Sequence, residues 1–141
     1  MAPFALLLLL YLAGKRRGGP AMTVKPGADV GGLHPAMAYA AGVVARIYAE
    51  HFAGAQVVVT SGREGAAGDG IHKAGSLHYP RAGDELRALD FRTRDHDPAA
   101  RAAFAQDVAA ALGWGFDVVN HPTTTDPASM PVHLHVEFDP K

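Results

Sequence analysis

The stretch Val132-His133-Leu134-His135-Val136-Glu137-Phe138 alternates without a break. Successive side chains on a strand point to opposite sides, so Val132, Leu134, Val136 and Phe138 share one face and His133, His135 and Glu137 the other. One face reads as core and the other as a polar row. Imidazoles at i and i+2 have Cβ atoms roughly 6 to 7 Å apart, from the strand rise. That spacing lets one bind a metal while the other reaches a water on it. Two half-exposed strand histidines fit the same pattern.

Upstream, the order of elements follows from periodicity. Leu33 to Phe52 carries Met37, Ala40, Ala41, Val44, Ile47 and Tyr48 at helical spacing behind His34-Pro35, and predicts an amphipathic helix packed on a sheet. Gly54 stops it. Gln56 to Thr60 contains Val57-Val58-Val59, a buried strand running into Ser61-Gly62-Arg63. Gly62 to Gly75 reads as a loop, Leu86 to Thr93 as a strand, Pro98 to Leu112 as an Ala-rich helix ended by Gly113, and Phe116 to Val119 as a short strand. His121 to Pro131, rich in Thr and Pro, reads as a loop before the closing strand. This order predicts a small α+β domain on a mostly antiparallel sheet.

Composition narrows the chemistry. The chain has 141 residues, 48% hydrophobic and 19% charged, the balance of one folded domain. A net charge of −1 gives no broad basic face, which argues against nucleic acid as a partner. There is no cysteine, so any metal must be held by His and carboxylate. Phe4 to Leu12 is apolar and is followed by Lys15-Arg16-Arg17. It is shorter than the roughly 20 residues of a spanning helix and has its charges on the wrong side for a cleaved signal. Residues 1–21 therefore read as an apolar leader or short anchor with weak membrane contact through residues 4–12, or as an extension upstream of a natural start at Met22. The domain is expected over 22–141.

Asp90 stands between Leu89 and Phe91 in a predicted strand. A buried carboxylate needs a partner. Arg87 or Arg92 could supply one as a plain ion pair. Alternatively His78, Asp90 and His135 supply two nitrogens and one oxygen, a set that leaves a fourth position open as catalytic zinc requires.

The motifs Val58-Val59-Thr60-Ser61-Gly62-Arg63, Ser76-Leu77-His78-Tyr79, Ala88-Leu89-Asp90-Phe91-Arg92 and His133-Leu134-His135-Val136-Glu137, in that order, resemble those of zinc peptidases of the D-Ala-D-Ala carboxypeptidase and phage L-alanyl-D-glutamate endopeptidase type. This is peptidase family M15, whose fold is shared with the Hedgehog signalling domain. The resemblance covers Val24 to Lys141. It implies a zinc ion on His78, Asp90 and His135, with His133 as general base. It also implies that Arg63 positions substrate or stabilises developing negative charge, and that Ser76 contacts substrate. Glu137, on the histidine face, is expected to orient one imidazole.

The implied substrate is the peptide stem of bacterial peptidoglycan, cut at D-Ala-D-Ala or at L-Ala-D-Glu as in endolysins. The site of action is then the cell wall, extracytoplasmic or reached at lysis, and the chain is expected to work as a monomer. Two departures stand out. His78 and Asp90 are separated by an apparent insertion around Arg81-Ala82-Gly83-Asp84-Glu85, which puts Glu85 at the more usual spacing; the Ala-Leu-Asp-Phe-Arg context favours Asp90. The loop His121 to Pro131 is longer than the pattern expects, and His121 either touches substrate there or is solvated. A catalytically silent zinc-binding or structural module of the same fold is the alternative.

Overall fold

The computed structural model describes residues 22–64, 76–78 and 85–141. Among them, strand β1 (Met22–Val24) is followed by helix α1 (Pro35–His51) and strands β2 (Val57–Ser61) and β3 (Ala88–Arg92). Helix α2 (Pro98–Leu112) and strands β4 (Phe116–His121) and β5 (His133–Phe138) complete the order. The class is α+β: two helices and one five-stranded mixed sheet, ordered β1-β2-β3-β5-β4. The leader, most of the glycine-rich loop with His72, Tyr79 and the tip of the insertion at 81–84 lie outside the described residues.

Both helices start as their sequences dictate. Proline fixes the first helical φ, and the residue before it caps the free N–H groups. His34 accepts from Ala36 N at 3.0 Å and Asp97 from Ala100 N at 2.9 Å. Their buried stripes, Met37, Ala41, Val44 and Tyr48 on α1 and Phe104, Val108 and Leu112 on α2, pack on one face of the sheet. That face is built by Val57, Val59, Leu89, Phe91, Leu134 and Val136, all fully buried. Each such side chain contributes about 1.5–3 kcal/mol of transfer free energy. The apolar half of every alternating strand is thereby used up, and its polar half is displayed on the opposite face.

Two elements differ from expectation. β1 pairs in parallel with β2 (Met22 with Val57, Val24 with Val59) and makes the sheet mixed. Three residues carry no legible alternation, so the sequence shows only a polar opening there. β4 extends to His121, two residues beyond its expected end, because the β4–β5 ladder continues through His121 opposite His133. What looked like the start of the loop is its last rung.

The register sets the site. β3 and β5 run antiparallel with Asp90 opposite His135 and Arg92 opposite His133. On the other side β5 meets β4 with Val119 opposite His135. On β2 the pairing slips between Val59 and Ser61, opposite Phe91 and Asp90. One extra residue there bends the strand beside Asp90, as bulges do next to functional sites.

Candidate metal centre

Asp90 and His135 come together because directly opposed residues of an antiparallel pair have Cβ atoms about 4.5–5.5 Å apart. His135 Nδ1 lies 2.8 Å from Asp90 Oδ1. The third member arrives from outside the sheet. His78, 1% exposed, places Nε2 3.3 Å from Asp90 Oδ1 and 3.2 Å from His135 Nδ1.

The orientation of His78 is fixed by the backbone. Its Nδ1 stands 2.6 Å from the Gly62 carbonyl, which can only accept, so Nδ1 carries a hydrogen and Nε2 is the ring nitrogen turned to the group. Gly62 is glycine for a steric reason: a Cβ there would lie 2.0 Å from the Asp29 carbonyl oxygen. Glu64 closes the same turn by accepting from Gly62 N at 2.7 Å and Asp29 N at 3.0 Å. Although burial pushes the Glu64 carboxyl up, these N–H donors and Ser61 hold its pKa below the ordinary value.

His135 is held at both ends, with Nε2 3.0 Å from Glu137 Oε2. Burial opposes its charge, yet Asp90 and Glu137 together push its pKa up to about 9. Without metal, therefore, an imidazolium sits between two carboxylates. Once its proton leaves, Nδ1 joins His78 Nε2 and Asp90 Oδ1 as a third donor. The three atoms form a triangle with edges of 2.8, 3.2 and 3.3 Å. Tetrahedral zinc with ligands at 2.0–2.1 Å needs edges of about 3.3 Å. The group could hold a metal ion, and the donor set, two imidazoles and one carboxylate, fits zinc.

His133 stands beside this group. Its Nδ1 donates to the Pro131 carbonyl at 2.7 Å, which leaves Nε2 as the acceptor, 3.6 Å from Asp90 Oδ1. Burial, stronger than the opposing pull of Asp90, lowers its pKa and keeps the ring neutral. The His121 ring stacks on it at 4.7 Å between centroids, tilted by 23°. His121 in turn donates to Asp126, a side chain 8% exposed that also accepts from Thr123 N at 2.6 Å. The Thr123 N–H and His121 hold Asp126 down at a pKa of about 2. His121 thus belongs to the site and is not a solvated loop residue. The Thr- and Pro-rich sequence after it hid this.

These residues line a cleft of about 980 Å³, which Ser76 and Glu137 also face. Glu85 does not: it lies at the surface, 3.6 Å from His34 Nε2. Nor does Asp90 pair with Arg87 or Arg92; its ion-pair partners among the described residues are His78, His133 and His135. Arg63 lies outside the cleft lining. Its guanidinium donates to the Gly31 carbonyl at 3.1 Å and lies over Gly32, whose Cβ would come within 2.9 Å of it. Lys25, Glu64 and Arg94, to which the sequence assigns no role, are in the lining, as is Arg92, which the sequence offers only as an ion-pair partner of Asp90. Arg92 was visible inside the Ala-Leu-Asp-Phe-Arg motif, two residues beyond Asp90 on the same strand face.

Among the described residues, no helix is long and apolar enough to cross a membrane. No family model matches the chain, and no curated protein matches it. The chemistry is therefore read from the geometry.

Two outcomes follow for the metal-stripped protein. Because His135 titrates at about 9 when folded against 6.5 when unfolded, its contribution to stability is complete below pH 6.5 and is lost as pH rises through 9. Urea midpoints of stripped protein are expected to fall between pH 6.5 and 9.5, by up to about 3 kcal/mol of unfolding free energy. A flat profile would show that His135 carries no such proton. Conversely, zinc must displace that proton, so its apparent affinity should rise with pH up to about 9. The second outcome concerns Glu137: Glu137→Ala should weaken zinc binding roughly 10- to 100-fold, the usual scale for a group that orients a ligand imidazole. Unchanged affinity in a chelator competition would leave Glu137 no such role.

Proposed function

We propose that the protein is a zinc-dependent peptidase of the peptidoglycan stem, cutting the D-Ala-D-Ala or the L-Ala-D-Glu bond, with a Hedgehog/DD-peptidase-like fold and a mostly antiparallel sheet. The observation that carries this reading is the convergence of His78 Nε2, Asp90 Oδ1 and His135 Nδ1 in a cleft wall, with the bare Nε2 of a neutral His133 alongside. Three antiparallel pairings in the sheet and the order of the four motifs support the fold assignment.

Zinc bound by these three ligands supplies Lewis acidity and a water whose pKa falls toward about 7. The chain's own residues do the rest. Glu137 and the Gly62 carbonyl orient His135 and His78. His133, fixed by the Pro131 carbonyl and the His121 ring, takes a proton at Nε2 and returns it to the leaving amine. Ser76, at the cleft wall, contacts the substrate backbone. Arg63 would have to swing away from Gly31 to stabilise negative charge there.

That placement of Arg63 favours a second reading, a zinc-binding module of the same fold without peptidase work. The test is digestion of purified peptidoglycan with the zinc-loaded full chain, followed by mass spectrometry of the soluble fragments. The peptidase reading expects release of D-alanine or of fragments with a new D-Glu amino terminus, abolished by chelator and restored by zinc. Zinc-loaded protein that releases neither would establish the silent module.

A further inference from the structure

Charge in the cleft is unevenly committed. Among the described residues four carboxylates line it, and each is engaged by the protein itself: Glu64 by the N–H groups of Asp29 and Gly62, Asp126 by Thr123 and His121, Glu137 by His135, and Asp90 by the histidines. Three cations among the described residues line it too. Arg94 lies 4.0 Å from Asp95, an exposed neighbour, while among the described residues no carboxylate is within ion-pairing distance of Lys25 or Arg92. A divalent ion in the metal group would turn the balance of these described residues positive. What the described residues of the cleft offer an incoming molecule is therefore cationic, although the whole chain carries −1.

Arg92 is the best placed of the three. It is the cross-strand partner of His133 and shares a strand face with Asp90, one pleat repeat, roughly 6 to 7 Å, away. A group held by its guanidinium therefore lies next to the base and close to the metal ligands. The fork of Arg matches a carboxylate with two parallel hydrogen bonds.

We propose that Arg92, with Lys25 and Arg94 at longer range, binds a free α-carboxylate on the leaving half of the substrate, on the carbon that bears the scissile nitrogen. This rests on the peptidase reading and narrows it. Both candidate bonds have this group: the terminal carboxylate of D-Ala-D-Ala, and the free α-carboxylate of a D-Glu that continues through its side chain. An ordinary internal peptide bond has an amide there, and leaves Arg92 buried against an uncharged group. Selectivity for wall peptides over proteins then comes from one charge pair.

The test uses the zinc-loaded full chain and ketomethylene isosteres of N-acetyl-D-Ala-D-Ala and N-acetyl-L-Ala-D-Glu, in which CH2 replaces the scissile N–H, each as the α-carboxylate and the α-carboxamide. Calorimetry should show at least one carboxylate probe binding roughly ten- to hundredfold tighter than its amide, the scale of a charge-assisted pair. Arg92→Ala should erase that preference while keeping its zinc, and Arg92→Lys should restore part of it. With cleavable parents, Arg92→Ala should raise KM more than it lowers kcat. Equal binding of carboxylate and amide, no binding of either carboxylate probe, or an Arg92→Ala protein that keeps the preference would overturn the proposal. Failure of the peptidase reading alone would look different: the preference intact, and the parent dipeptides uncut.

Discussion

His133→Ala is expected to keep its zinc and lose roughly 10²- to 10⁴-fold in turnover, the contribution of a positioned general base. The separation of the two effects follows from which atoms converge. His133 Nε2 is 3.6 Å from Asp90 Oδ1, but the donor triangle is complete without it. Its Nδ1 is committed to Pro131, its ring is stacked on His121, and burial keeps it neutral, so the one open acceptor faces the centre. Turnover should fall in acid as that nitrogen is protonated, below the ordinary histidine range because its pKa is depressed. The pH profile reports the coupled pair of His133 and the nucleophilic water rather than one group. Metal content and hydrolysis of a wall dipeptide, measured on the same preparation, check it. Near wild-type turnover by zinc-loaded His133→Ala protein would remove His133 from the mechanism and point to Asp126, 8% exposed and facing the same cleft.

Asp90→Ala should bind zinc more than roughly 100-fold more weakly, since even groups that only orient a ligand are worth 10- to 100-fold. Glu85→Ala should bind it as the wild type does. Asp90 gives the metal group its only carboxylate and also holds His135 Nδ1 at 2.8 Å, so its removal deletes one donor and frees another to rotate. Glu85, half exposed at 53% and turned to His34, has neither relation. Competition with a chromophoric chelator reads both affinities. Loss of zinc from Glu85→Ala with retention by Asp90→Ala would place the acidic ligand on the other side of the insertion.

The candidate site was legible where side-chain type and local period decide the matter. Strict alternation puts His133, His135 and Glu137 on one face of β5 before any fold is known, and a carboxylate between Leu89 and Phe91 demands a partner. What no local pattern contains is register. That Asp90 meets His135 depends on where β3 and β5 begin their ladder, and that depends on the turns and packing between them. Arg63 illustrates the same limit: its aim is decided by the carbonyls of Asp29 and Gly31, more than thirty residues earlier in the chain. The parallel pairing of β1 was invisible because three residues cannot show a period. β4 reaches His121, past its expected end at Val119, because strand ends are set by the partner strand, here His133, and not by the composition that follows.

The order β1-β2-β3-β5-β4 has a further consequence, for how such a cleft can change. Asp90 and His135 sit on β3 and β5, two of the three strands flanked on both sides, where a backbone shift must break two ladders at once. Lys25, following the edge strand β1, and the segment 122–131, leaving the edge strand β4, are bounded by solvent. The candidate metal group is thus fixed in the middle of the sheet, and part of the cleft wall is carried at its margins, where insertions cost little. Exchanging 122–131 for loops of other length, with Asp126 kept, gives a way to retune what the cleft admits while the ligand triangle stays as it is.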